Sequence, residues 1–182
     1  MAATESAGVK SAANWNAAPG ITGTLPGLSL ANGTVTTATA TWSAAASWSL
    51  AFKDAPGNVR MMNGYLDPIA STSPATVTVS ALPPWITAGG YDVYVYCLTD
   101  SNSGETRTGS YKIGSTTFTV VQTGPVATAF AGFVLAPNQG AGNYVVFRNV
   151  TGSSFTLTAT PSGGTVPRAP VNGIQIVWPS GT

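Results

Sequence analysis

Apolar and polar residues alternate with a period of two along most of this chain, and that pattern commits it to β-structure. Residues 35–42 (VTTATATW) set Ala38, Ala40 and Trp42 on one face and threonines on the other. Residues 75–82 alternate Val77, Val79 and Ala81 with Thr and Ser; residues 154–161 alternate Phe155, Leu157 and Ala159 with Thr156, Thr158 and Thr160. Segments 115–122, 143–150 and 172–179 read as further strands, the last with Ile174, Ile176 and Trp178 on one side. The 21 glycines and 13 prolines punctuate these runs. Only segments 6–16 and 56–66 are expected to hold a turn or two of helix.

Strands of this length without intervening amphipathic helices predict an all-β antiparallel sandwich. The patterns suggest roughly eight to ten strands, a number that suits a jelly roll. Threonine-rich outer faces are what half-solvated antiparallel sheets carry. With no internal repeat and no linker, the chain reads as one domain over 1–182, its core spanning about 12–178. A chain of this size buries roughly 70% of its unfolded surface.

Composition removes several kinds of chemistry. Seven Lys plus Arg against six Asp plus Glu give a net charge of +1, too little clustered charge to steer nucleic acid. There is no histidine, so His-dependent triads and His/Cys zinc sites are excluded. Cys97, the single cysteine, sits in an apolar strand and reads as a buried thiol. No window approaches 18 apolar residues, so membrane insertion is not expected. The first ten residues show no apolar core of a signal peptide. Low charge and Thr-rich strands nevertheless fit a secreted, extracellular bacterial module.

Several stretches carry a family resemblance when taken together: AANWN (12–16), DAPGNVRMMNGYLD (54–67), GGYDVYVY (89–96), GNYVVFRNVTGSSFTLTATP (142–161) and RAPVNGIQIV (168–177). The set resembles a domain of large secreted bacterial proteins that accompanies polysaccharide-processing modules. It is also similar to malectin-like and galactose-binding-like β-sandwiches, an architecture shared by many carbohydrate-binding modules. The resemblance implies a secreted setting within a larger protein, and a structural calcium is common in such sandwiches. The chain departs from the pattern at PPWITAGG (83–90), which inserts a Trp into a proline-stiffened loop.

Aromatic residues are the leading candidates for a site, because sugars stack their C–H faces on indole or phenol rings while neighbouring polar groups hold the hydroxyls. Trp85 in the inserted loop is the first choice, Tyr65 the second, with Arg60, Asn63 and Asp67 beside it for hydroxyls. Trp15, between two asparagines, either binds ligand or latches the N-terminal segment to the core. Trp42 and Trp48 are assigned to packing. On strand 91–98, Tyr91, Val93, Val95 and Cys97 should face the inter-sheet core. Tyr94 and Tyr96 then form an outer stripe that is either covered or held in reserve as a ligand face. An open stripe of that size would be a sizeable apolar patch, which favours a cover.

Carboxylates offer less. Asp54 and Asp67 flank one segment, and hydrolysing a glycosidic bond needs two carboxylates about 5–10 Å apart. Capping a turn, or pairing with Arg60, is the ordinary role of such residues. Asp100, Asn102 and Glu105 alternate oxygens around Gly104 in the manner of a calcium loop, although a plain hairpin turn accounts for the same residues. Arg60, Arg107 and Arg168 lie near aromatics or acids.

The expected function is a non-catalytic, monomeric carbohydrate-binding module for polysaccharide of the xylan or β-glucan class. Two alternatives stand beside it: an extracellular matrix protein assembling through unguarded strand edges, and a glycosidase or lyase working without histidine.

Overall fold

The computed structural model describes residues 1–126 and 128–179. Among them, strands and two short helices follow in the order β1 (Thr22–Pro26), β2 (Thr39–Ser43), β3 (Ala46–Ser49), α1 (Asn58–Asn63), β4 (Gly64–Asp67), β5 (Ala75–Ser80), α2 (Pro84–Thr87), β6 (Tyr91–Tyr96), β7 (Thr106–Ile113), β8 (Thr116–Thr123), β9 (Tyr144–Val150), β10 (Phe155–Gly164) and β11 (Gly173–Val177). A six-stranded sheet runs β1-β2-β5-β10-β7-β8, a three-stranded sheet runs β11-β6-β9, and β3 pairs with β4. Every strand pairing is antiparallel. The protein is an all-β sandwich.

The alternation seen in the sequence explains which faces meet. Val93, Val95 and Cys97 of the β6 strand and its extension lie between the sheets with Leu157, Ala159 and Tyr111 from the facing sheet, all essentially inaccessible. Tyr91 packs against Phe155 and Phe147 edge-on against Phe118. Burial pushes the Cys97 thiol up to about 12, so it stays protonated and inert. On the far side of the larger sheet the threonines face outward, and Thr78 and Thr156 share a hydroxyl hydrogen bond of 2.8 Å across the ladder.

The other face of β6 carries a second core. Tyr94 and Tyr96 are buried with Leu50, Phe52, Met61 and Met62, under Trp15 and Phe133. The tyrosine stripe is therefore covered, and its use as a reserve ligand face is corrected by that cover. Tyr96 still finds a partner for its hydroxyl, which donates to Gln175 at 2.8 Å and accepts from Val9 N–H. Ala7 belongs to this second core, so the packed body begins before residue 12.

Segment 6–16 is not helical. It forms a tight turn closed by an Ala7–Ala12 bridge, with Asn14 at φ 53°, and then docks on β6 and β11. Segment 56–66 does hold the expected helical turn, as α1, followed directly by β4.

Candidate functional site

The two sheets differ in width, six strands against three, and a concavity opens between them. β9 packs on β8 through Phe147 and Phe118, β6 on β10 through Tyr91 and Phe155, and β11 faces β5 and β2 across a cleft. The β1–β2 side of the larger sheet overhangs. Between it and β11 runs a half-open apolar cleft with a volume of about 610 Å³. Ala38, Ala40, Val77 and Val79 line one wall, Ile174 and Ile176 the other. Protein interiors ordinarily leave few voids larger than a water molecule.

Four of the five tryptophans, Trp15, Trp42, Trp48 and Trp178, line this cleft, and Trp85 stands against Trp178 at its edge. Trp42, only 5% exposed, lies across β1 with its Nε1 donating to Gly20 carbonyl at 3.3 Å. It needs Gly23 opposite, since any Cβ there would collide with the indole ring. Trp15 sits near Gly173 at the start of β11, edge-on to Tyr96. Its Nε1 donates to Ala12 carbonyl at 2.8 Å within the same segment, and its ring against Tyr96 latches that segment to the core, one of the two sequence readings. Trp178 lies at the far end of β11 and meets Trp85 edge-on, ring centres 5.7 Å apart. Trp85 stands 53% exposed on the single turn of α2, where Pro84 supplies the first helical position. Trp48, assigned to packing from its sequence context, is instead 60% exposed, at the mouth near Tyr65 and Arg60. Trp48 is the register partner of Tyr65 across the β3–β4 pair, on the same side as that buried ring, yet it stays largely in solvent.

The polar candidates are scattered. Tyr65 is 5% exposed, and its hydroxyl donates to the Asp100 carboxylate, so its ring face is not on offer as a sugar platform. Burial raises its pKa well above the ordinary phenol range. Asp67 is buried and faces Arg168 at 3.4 Å; desolvation raises its pKa against the pull of that arginine. Asn63 ends α1 with a buried, unpartnered Oδ1. Arg60 forks onto Asp54, at 3.0 and 2.7 Å, and also holds Glu5. The group imagined around Trp85 thus lies at the opposite end of β11, engaged within the protein. The cause is that Met61 and Leu66 dock beside the start of β11, where Leu66 bridges Val171.

The 100–105 loop is organised by an arginine. Arg107 Nη2 lies 3.0 Å from Glu105 and Nη1 3.4 Å from Asp100. Glu105 also accepts from the backbone and side-chain amides of Asn102, both at 2.9 Å, and these bonds hold its carboxyl down to about 2. The guanidinium supplies the positive charge between these two carboxylates. Among the described residues no cluster of three or more acidic or cysteine side chains suits a metal ion.

One polar recess was not foreseen. Next to Trp178, a hollow of about 290 Å³ is lined by Lys10, Asp92, Tyr94, Arg148 and Asn149. Arg148 Nη1 bonds Asp92 Oδ2 at 2.5 Å, and its Cζ lies 5.7 Å over the Tyr94 ring. Asp92 Oδ1 accepts from Asn149 N–H at 3.0 Å. A register shift between Tyr91 and Val93 brings these groups together across β6 and β9. The sequence signal, Asp and Arg on different strands, becomes legible only once that pairing is known.

No protein-family model matches the chain, and no curated protein or solved structure shows significant similarity to it. Function rests on the site itself.

Proposed function

We propose that the protein is a non-catalytic carbohydrate-binding module, a secreted sandwich of the galactose-binding-like, jelly-roll kind, that holds a polysaccharide of the xylan or β-glucan class. The observation that carries this reading is the Trp85–Trp178 pair beside the polar recess. An exposed indole gives a sugar ring an apolar face to stack on, and its edge-on neighbour fixes the angle of that face. Asp92, Arg148 and Asn149 stand within the same hollow as Trp178, where they offer both acceptors and donors to hydroxyls. Little charge is involved, so binding should depend weakly on salt. In this reading the chain works as a monomer, as one module of a larger secreted protein, and the polysaccharide is its partner.

The test is retardation in native gels cast with xylan, β-glucan, mannan or pectin, together with pull-down on insoluble cellulose. One class should retard the protein, and Trp85→Ala should abolish the effect while Asp92→Asn weakens it. Absence of retardation by every polysaccharide, or retardation indifferent to both substitutions, overturns the proposal.

A further inference from the structure

We propose that the inter-sheet cleft is a second binding site, whose ligand is an uncharged hydrocarbon chain. Its volume of about 610 Å³ falls in the range of small-molecule sites, which run from about 300 to 1,000 Å³. The walls are aliphatic, from Leu28, Leu30, Val77, Val79, Ile174 and Ile176.

The amide side chains on its surface already have partners. Asn16 exchanges two hydrogen bonds with the Ser29 backbone, at 2.9 and 3.0 Å. Asn172 accepts from Leu98 N–H and donates to Met62 carbonyl. Gln175 accepts from the Tyr96 hydroxyl and donates to Lys10 carbonyl. Both inner indoles, Trp15 and Trp42, donate to backbone carbonyls. A hydroxylated ligand entering here would give up water without gaining partners, whereas a hydrocarbon loses nothing and buries apolar surface. Sugar therefore fits the recess by Trp178 and not this cleft.

Charge points the same way. Arg60 is the one charged side chain on the described lining, and Glu5 and Asp54 neutralise it. The occupant must also be narrow. Segment 12–18 crosses the mouth from Trp15, seated on Tyr96, to Asn16, tied to Ser29, and Asn14 adds a bond to Ala31 carbonyl at 2.8 Å. Such a roof admits a chain and obstructs a folded partner. The site shares only Trp178 with the proposed polysaccharide platform, and neither depends on the other.

The neutral dye N-phenyl-1-naphthylamine, titrated into the full chain, is the direct test. Saturable one-to-one binding with a blue-shifted dye spectrum, quenched tryptophan emission and displacement by 1-dodecanol is expected. Ala40→Leu, which fills the cleft, should weaken dye binding about tenfold or more, and Leu28→Trp should do the same from the other side. Circular dichroism and melting establish that both variants fold, and Trp85→Ala should leave dye binding intact. Non-saturable uptake, or affinity unchanged in both filled variants, overturns the proposal. So does displacement of the dye by xylan or β-glucan, which would place sugar in the cleft. Protein-concentration-dependent dimerisation that competes with the dye would assign the cleft to a second copy and overturn it equally.

Discussion

The two halves of the sandwich are built from the same kinds of strand, yet one is sealed and the other gapes. In the sealed half, small inward residues on β6 (Val93, Val95) and the adjoining Cys97 meet Tyr111, Leu157, Ala159 and Phe147, and side chains interdigitate until almost nothing is accessible. In the open half, Ala40 on β2 and Ala38 just before it are also small, but the residues across from them belong to an edge strand, β11, with no neighbour beyond it. Alanines on one wall leave room that Ile174 and Ile176 do not fill, and Trp15, Trp42 and Trp178 stand around the gap. The same small-residue pattern thus closes one half and opens the other. What differs is whether a second strand lies above it: six strands cannot be covered by three.

The largest effect should come from the sealed half. Leu157 is fully buried between the sheets, so Leu157→Ala is expected to cost roughly 2–5 kcal/mol by chemical denaturation. A cost below about 1 kcal/mol, in the range of ordinary surface changes, would mean that this half relaxes as freely as the other, and the contrast would fail.

Adding volume sharpens the comparison. Ala159 is wholly inaccessible, and Ala159→Val should overpack its site at a cost of about 1–3 kcal/mol. Ala40 borders the cleft, and Ala40→Val should change stability by no more than about 0.5 kcal/mol. Equal penalties for the two substitutions in parallel urea melts would show that the cleft is as tightly filled as the core.

The sequence showed one half better than the other, for a physical reason. The strict alternation of β5, β6 and β10 made the sealed half legible, down to which face of β6 turns inward. β7 was not read as a strand, because Gly109 sits at its centre and Arg107 and Lys112 flank it, obscuring a pattern whose inward positions are Arg107, Gly109, Tyr111 and Ile113. Short β1, β3 and β4 escaped for lack of length. The open half depends on sheet width and strand order, quantities set by pairings distant in sequence. Trp85 was legible as an exposed aromatic because prolines bound its loop. Tyr65 was misplaced because segment 56–66 read as a turn or two of helix, whereas Gly64 and Asp67 begin and end a strand. The 6–16 helix failed because Gly8, at φ 96°, and Asn14 take left-handed backbone and bend the segment into a latch.

The smallest stability effect is expected where the open half meets solvent. Trp48 is 60% exposed on β3, paired in register with Tyr65. The hairpin that carries it is held by the β3–β4 ladder and by the Leu66–Val171 bridge, whose two N–H···O bonds measure 3.0 and 3.1 Å. None of these bonds involves the indole. Trp48→Ala should therefore move the unfolding free energy by less than about 0.5 kcal/mol, although loss of so large a ring from a core costs roughly 3–5 kcal/mol. A loss of more than about 1 kcal/mol in the same urea melts would show the indole folded down against Tyr65 and Arg60. The cleft would then be closed at that mouth, and the division between a sealed and an open half would hold only at the Trp85 end.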